Sequence, residues 1–123
     1  MKTKQMINKH IINALMLAEN HPSITKIGIF GSYARNDYNK QSGIDILYDH
    51  EMDYDNGFEM FDDMMNALDV IENELTEHFG DREVYFLAYY LLFEDDLCDF
   101  QREVGNNILD EVVWIYQKES DFI

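Results

Sequence analysis

One stretch concentrates the residues best suited to chemistry. In IGIFGSYARNDYNKQSGIDILYD, residues 27–49, an apolar run leads into Gly31 and Ser32. With no side chain at Gly31, backbone N–H groups can approach a ligand closely, and a short helix opening at Ser32 favours an anion at its N-terminus. An ordinary strand-to-helix turn with a serine cap is the plainer alternative. A second apolar run presents Asp45. Side chains alternate along a strand, so positions 43, 45 and 47 share a face, and carboxylates at 43 and 45 would stand about 6.6 Å apart. Such a pair beside a phosphate-binding turn is how a sheet builds a divalent-metal site. Position 43 is Gly43, however, which leaves Asp45 alone. Arg35 is placed either to contact phosphate or to pair with a carboxylate such as Asp37.

The elements that must hold these residues follow from the apolar spacing. Met6, Ile7, Ile11, Ala14, Leu15 and Ala18 recur at helical intervals before the Asn20-His21-Pro22-Ser23 stop. Ile24 to Phe30 reads as a buried strand, residues 32–42 as a polar turn, and Ile44 to Tyr48 as a second strand. The acidic stretch 49–57 reads as a solvated loop. It fails as a calcium loop because Gly57 in the sixth position puts Met52 and Tyr54 on ligand positions. From Phe58 to Phe79, Phe61, Met64, Met65, Leu68, Ile71 and Leu75 predict an amphipathic helix with that stripe in the core, capped by Gly80. Residues 83–87 read as a third strand, and 89–104 as a helix with Leu92, Leu97, Phe100 and Val104 inward. The rest is further helix or a last strand. This order predicts a single α/β (α+β) domain spanning residues 1–123, with a small mixed sheet flanked by helices.

Composition narrows the function classes. Acidic residues outnumber basic ones 25 to 9, a net charge of −16, which repels phosphate backbones and argues against direct nucleic-acid binding. No run approaches the roughly 18 apolar residues of a membrane span. Asn8, Lys9, His10 and Asn13 interrupt any secretory apolar region, and a cytoplasmic protein is expected. The lone Cys98 excludes an internal disulfide and reads as a small core thiol. Met60, Met64 and the apolar residues from Phe93 to Phe100 exceed the obvious needs of a small core and suggest a partner-binding surface. Homo-oligomerisation stays open.

The string GSYARNDYNKQSGIDILY, residues 31–48, resembles without a gap the hallmark of the minimal nucleotidyltransferases (MNT) of the DNA polymerase beta superfamily, roughly GSYARGDYNPKSDIDLLV. Asn36 replaces a glycine of that pattern, and asparagine tolerates the left-handed backbone such a turn needs. The resemblance implies a nucleotidyltransferase fold, a nucleotide-binding turn at Gly31, Ser32 and Arg35, and transfer of a nucleoside monophosphate from ATP or another NTP to a hydroxyl. It implies three carboxylates holding two magnesium ions. Gly43 stands where the family has its first aspartate, and Tyr85, in Val84-Tyr85-Phe86, where it has its third.

Asp45 is thus the remaining catalytic and metal-binding candidate. Glu83, two residues from Tyr85 on the same strand face, is a substitute metal ligand. The expectation is a degenerate member with transfer lost or very slow, acting by binding a partner protein. Many small MNT proteins are antitoxins of helical HEPN-domain ribonuclease toxins, and an acidic chain suits a basic partner. The alternative is an active magnesium-dependent enzyme that moves AMP onto a protein hydroxyl.

Overall fold

The computed structural model describes residues 6–51 and 57–118. Its elements are α1 (Lys9–Leu15), a 3₁₀ segment (Met16–Asn20), β1 (Ile24–Phe30), α2 (Ser32–Arg35), β2 (Ile44–His50) and α3 (Gly57–Phe79). They continue with β3 (Val84–Ala88), a second 3₁₀ segment (Tyr89–Phe93), α4 (Asp99–Glu111) and β4 (Val113–Gln117). The expected mixed α/β architecture is present. The sheet runs β3-β2-β1-β4, with β1 antiparallel to both β2 and β4 and β2 parallel to β3.

Alternation sorts the strands between two faces. Ile27, Ile29, Ile44, Ile46, Val113 and Ile115 join Ile11, Leu15, Met64, Ile71 and Leu75 in one core, so α1 and α3 cover that face. The other face carries Phe30, Asp45, Leu47, Tyr85 and Leu87, and there Phe30, Asp45 and Tyr85 are direct register partners across three strands. Lys26 Nζ lies 3.9 Å from the Tyr89 ring centroid and 4.4 Å from that of Trp114, tying the second 3₁₀ segment to this face.

Several expectations change. The core stripe of α3 is Met64, Ala67, Ile71 and Leu75, while Phe61 and Met65 face outward, because a sheet of four short strands covers only a narrow arc of a 23-residue helix. Residues 89–104 are not one helix. A 3₁₀ turn ends at Phe93, the acidic Glu94-Asp95-Asp96 run intervenes, and α4 starts at Asp99, where a first-turn carboxylate suits the helix dipole and the Cys98 N–H donates to Gln101 Oε1 at 2.9 Å. Cys98 is exposed rather than a core thiol. Phe100 and Val104 point outward. The last stretch is both helix and strand, divided at Val112, whose backbone is extended. Most of the acidic loop, residues 52–56, lies outside the described residues, and β2 runs on to His50. Among the described residues no helix is long and apolar enough to cross a membrane.

Asp63 fastens α3 to the turn entering β1. Its Oδ2 accepts the Ser23 N–H at 3.0 Å and its Oδ1 lies 3.0 Å from His21 Nδ1. Burial pushes its carboxyl up, but the hydrogen bonds from Ser23 and His21 outweigh that and hold it below the usual 3.8. A depressed folded-state pKa stabilises the fold above the unfolded value, and that stability is lost as pH falls through the folded value. Asp63→Ala is expected to destabilise by about 1–2 kcal/mol at pH 7, measured by urea unfolding, with the difference from the parent shrinking once pH drops below 3.8. An unchanged gap at acid pH would assign the loss to packing.

Candidate active site

The turn after β1 is built around Gly31, whose φ of 72° and ψ of −153° suit glycine alone. A Cβ at Gly31 would also overlap Asp45 Oδ2, so the glycine lets the carboxylate of β2 lie against the turn. Tyr33 and Ala34 are buried and anchor the four-residue α2; Tyr33 stacks on Tyr38 at 4.1 Å between centroids. Asn36 ends the turn at φ 63° and ψ 27°, left-handed as its side chain permits. Ser32 begins α2, but the position before the helix is Gly31 and no side chain caps it. The serine-capped turn is therefore not what forms.

The Gly31 N–H, expected to face a ligand, donates to Glu111 Oε1 at 2.9 Å. The second oxygen of that carboxylate, Oε2, accepts from Arg35 Nη1 at 2.9 Å, and Arg35 Nε donates to Asp37 Oδ2 at 3.0 Å. A carboxylate from the last turn of α4 thus accepts from both the Gly31 N–H and the Arg35 guanidinium. Glu111 escaped the sequence reading because it lies 80 residues from Gly31 and 76 from Arg35. The available signal was a glutamate ending a helix just before a β-branched pair, Val112-Val113, that starts the strand beside β1. A cavity of about 800 Å³ opens beside it, lined by Arg35, Val104, Asn107, Ile108, Glu111 and Val112.

Asp45 is half-buried at the centre of this arrangement. Burial raises its carboxyl above the usual 3.8, the nearby Glu111 charge raises it further, and Arg35 opposes both. The Tyr85 hydroxyl donates to Glu83 Oε2, and the Tyr85 ring stands beside residue 43, where an added Cβ would come 2.8 Å from Cε2 and 3.2 Å from Cδ2. Gly43 and Tyr85 are therefore complementary: the absent side chain at one makes room for the ring at the other. Among the described residues no group of three or more histidine, cysteine, aspartate or glutamate side chains is placed to hold a metal ion. The donor set, Asp45 with Glu83 and Glu111 each engaged elsewhere, does not fit a pair of magnesium ions.

A raised carboxyl has the opposite linkage from that of Asp63. The folded chain binds its proton more tightly than the unfolded one, so the ionised form lowers stability as pH rises from 3.8 through the raised value. Asp45→Asn is expected to raise the melting temperature at pH 7 and to leave it unchanged near pH 3. In Glu111→Gln, Asp45 should titrate at lower pH by carboxyl-detected NMR, since one of the two raising causes is gone. An unmoved Asp45 titration would remove Glu111 from the account of its shift.

In comparison with known proteins, the chain matches the nucleotidyltransferase domain family over residues 14–121. It is 36% identical over 69 residues to a Methanocaldococcus jannaschii protein provisionally named a protein adenylyltransferase; the match takes in 56% of this chain and 68% of that one. It aligns with a chain from a toxin-antitoxin crystal structure with AMP-PNP at a TM-score of 0.49 and 17% identity, covering 89% of this chain and 76% of that one. A provisionally named nucleotidyltransferase from Sulfolobus solfataricus aligns at a TM-score of 0.40 and 22% identity, covering 94% and 90%.

Proposed function

The chain belongs to the nucleotidyltransferase domain family, and from that membership we propose that it keeps the family's fold and turn, has lost or nearly lost nucleotidyl transfer, and acts by binding a partner protein. The observation that carries this reading is the Tyr85 ring beside Gly43. Two metal carboxylates are replaced by a pair of residues that fit each other, so an aspartate restored at position 43 alone meets the Tyr85 ring. Glu111 on the Gly31 N–H and Arg35 supports the same reading, because a phosphate group arriving at this turn must displace a charge-assisted carboxylate pair.

The partner we propose is a basic protein of the HEPN toxin class. Its support is the excess of 25 acidic over 9 basic residues, which speeds encounter with a basic surface and sets its orientation. The competing reading is transfer of a nucleoside monophosphate from a magnesium-bound nucleoside triphosphate to a protein hydroxyl through Asp45 and Glu83. It draws on the provisional name of the M. jannaschii relative.

Incubating the purified chain with magnesium and ATP labelled at the α-phosphate, with a HEPN-type protein as acceptor, separates the two. The parent is expected to label the acceptor no faster than Asp45→Asn. Magnesium-dependent labelling that Asp45→Asn lowers at least a hundredfold would establish the enzyme instead. Steric coupling gives a further expectation: Gly43→Asp combined with Tyr85→Asp should bind magnesium and ATP in a calorimeter at least tenfold more tightly than either single variant. Additive effects of the two substitutions would show that the ring does not guard position 43.

A further inference from the structure

α4 is a poorly covered helix. Of its 13 residues only Gly105 is buried, seated on Leu92, whose Cδ2 would lie 3.6 Å from an added Cβ. Its outward row is apolar: Phe100 is 72% exposed and Val104 40%, with Ile108 following at the same four-residue interval. Together with the second 3₁₀ segment and β3, this row encloses a cavity of about 230 Å³ lined by Leu87, Leu91, Leu92, Leu97, Phe100 and Val104, with Gln101 as its polar member. A large aromatic left in water over an apolar groove is the kind of surface that marks an interaction site.

Charge says what kind of partner fits. Asp99, Glu103 and Asp110 follow one another at intervals of four and seven, forming an exposed ridge beside the apolar row. Glu94, Asp95 and Asp96, also exposed, add three carboxylates in the chain segment between the second 3₁₀ segment and α4. Arg102 is the sole basic residue between 94 and 111, and its guanidinium turns back to the carbonyls of Leu97 and Asp95 at 3.3 and 3.1 Å. The ridge from Asp99 to Asp110 extends about 16 Å, or three helical turns. A second copy of this chain is a poor occupant. It would bring the same acidic ridge and another net charge of −16 to the contact.

We propose that the groove between α4 and the Tyr89–Phe93 segment binds a cationic amphipathic helix of a partner protein. Apolar side chains of that helix, spaced three and four apart, enter beside Phe100 and Val104, and an adjoining row of Lys or Arg lies along Asp99, Glu103 and Asp110. This rests on the partner-binding reading above and gives it a surface and a chemistry.

The test uses the full chain and a synthetic 18-residue helical peptide with leucine at i, i+4, i+7 and i+11 and lysine along one flank. Its controls are a scrambled peptide of equal composition and one with glutamate for lysine. By calorimetry the amphipathic lysine peptide should bind one to one, at least tenfold more tightly than either control, and more weakly as salt rises. Phe100→Asp should lower that affinity at least tenfold with an unchanged melting temperature, and Asp99→Asn/Glu103→Gln/Asp110→Asn should lower it several-fold at low salt. Phe58→Asp, at an 86% exposed position on α3, should leave it unchanged. No binding, equal binding of the scrambled peptide, or indifference to Phe100→Asp overturns the proposal. So does a dimer in light scattering that Phe100→Asp dissociates. Binding abolished by Phe58→Asp would keep the partner reading and move it off this groove, whereas efficient transfer in the labelling experiment would remove the partner reading itself.

Discussion

The register of β1, β2 and β3 is the constraint on which the rest of the site depends. Phe30, Asp45 and Tyr85 lie opposite one another across the three strands, and a slip of one residue would turn Asp45 into the hydrophobic core. Once the register is set, Gly31 must lie against Asp45 and Gly43 beside Tyr85. The register itself is held by Ile44 and Ile46 on β2 and Ile27 and Ile29 on β1, all fully buried against α1 and α3. One face of the sheet thus supplies the stability that lets the other carry charge and glycine.

The second face is finished by the chain's return through α4 and β4. β4 pairs with β1 on the side away from β2, which brings the end of α4 over the Gly31 turn and seats the Glu111 carboxylate between the Gly31 N–H and Arg35. In a chain so rich in acid, an internal carboxylate is an available anion for an electropositive turn. It also lies close enough to Asp45 to help hold that carboxyl above its ordinary range. The same helix leaves Phe100 and Val104 in solvent, so the element that carries Glu111 to the Gly31 turn is itself poorly covered by its own chain.

Much of this was legible from residue types. The turn at Gly31, Asn36 in a left-handed position and the mixed α/β architecture follow from local steric and hydrogen-bonding preferences. The apolar period of α3 gave its existence but not its buried face, because Phe61 and Met65 satisfy the same period as Met64 and Ile71. In the 89–104 segment, Leu97, Phe100 and Val104 keep helical spacing, but the five-residue step from Leu92 to Leu97 spans the break at Glu94-Asp95-Asp96 between the 3₁₀ segment and α4.

The sequence by itself determined which side chains are present and what each position can tolerate. It follows that Gly43 offers no ligand, that Gly31 permits a positive φ, and that the chain carries a strong negative charge. Only the tertiary structure decided which of them meet. Glu111 reaches Gly31 across 80 residues, and Tyr85 and Gly43 come together through a parallel pairing. Local propensity acts over a few residues, whereas these contacts depend on strand order and on where a helix returns, which burial of the whole core sets.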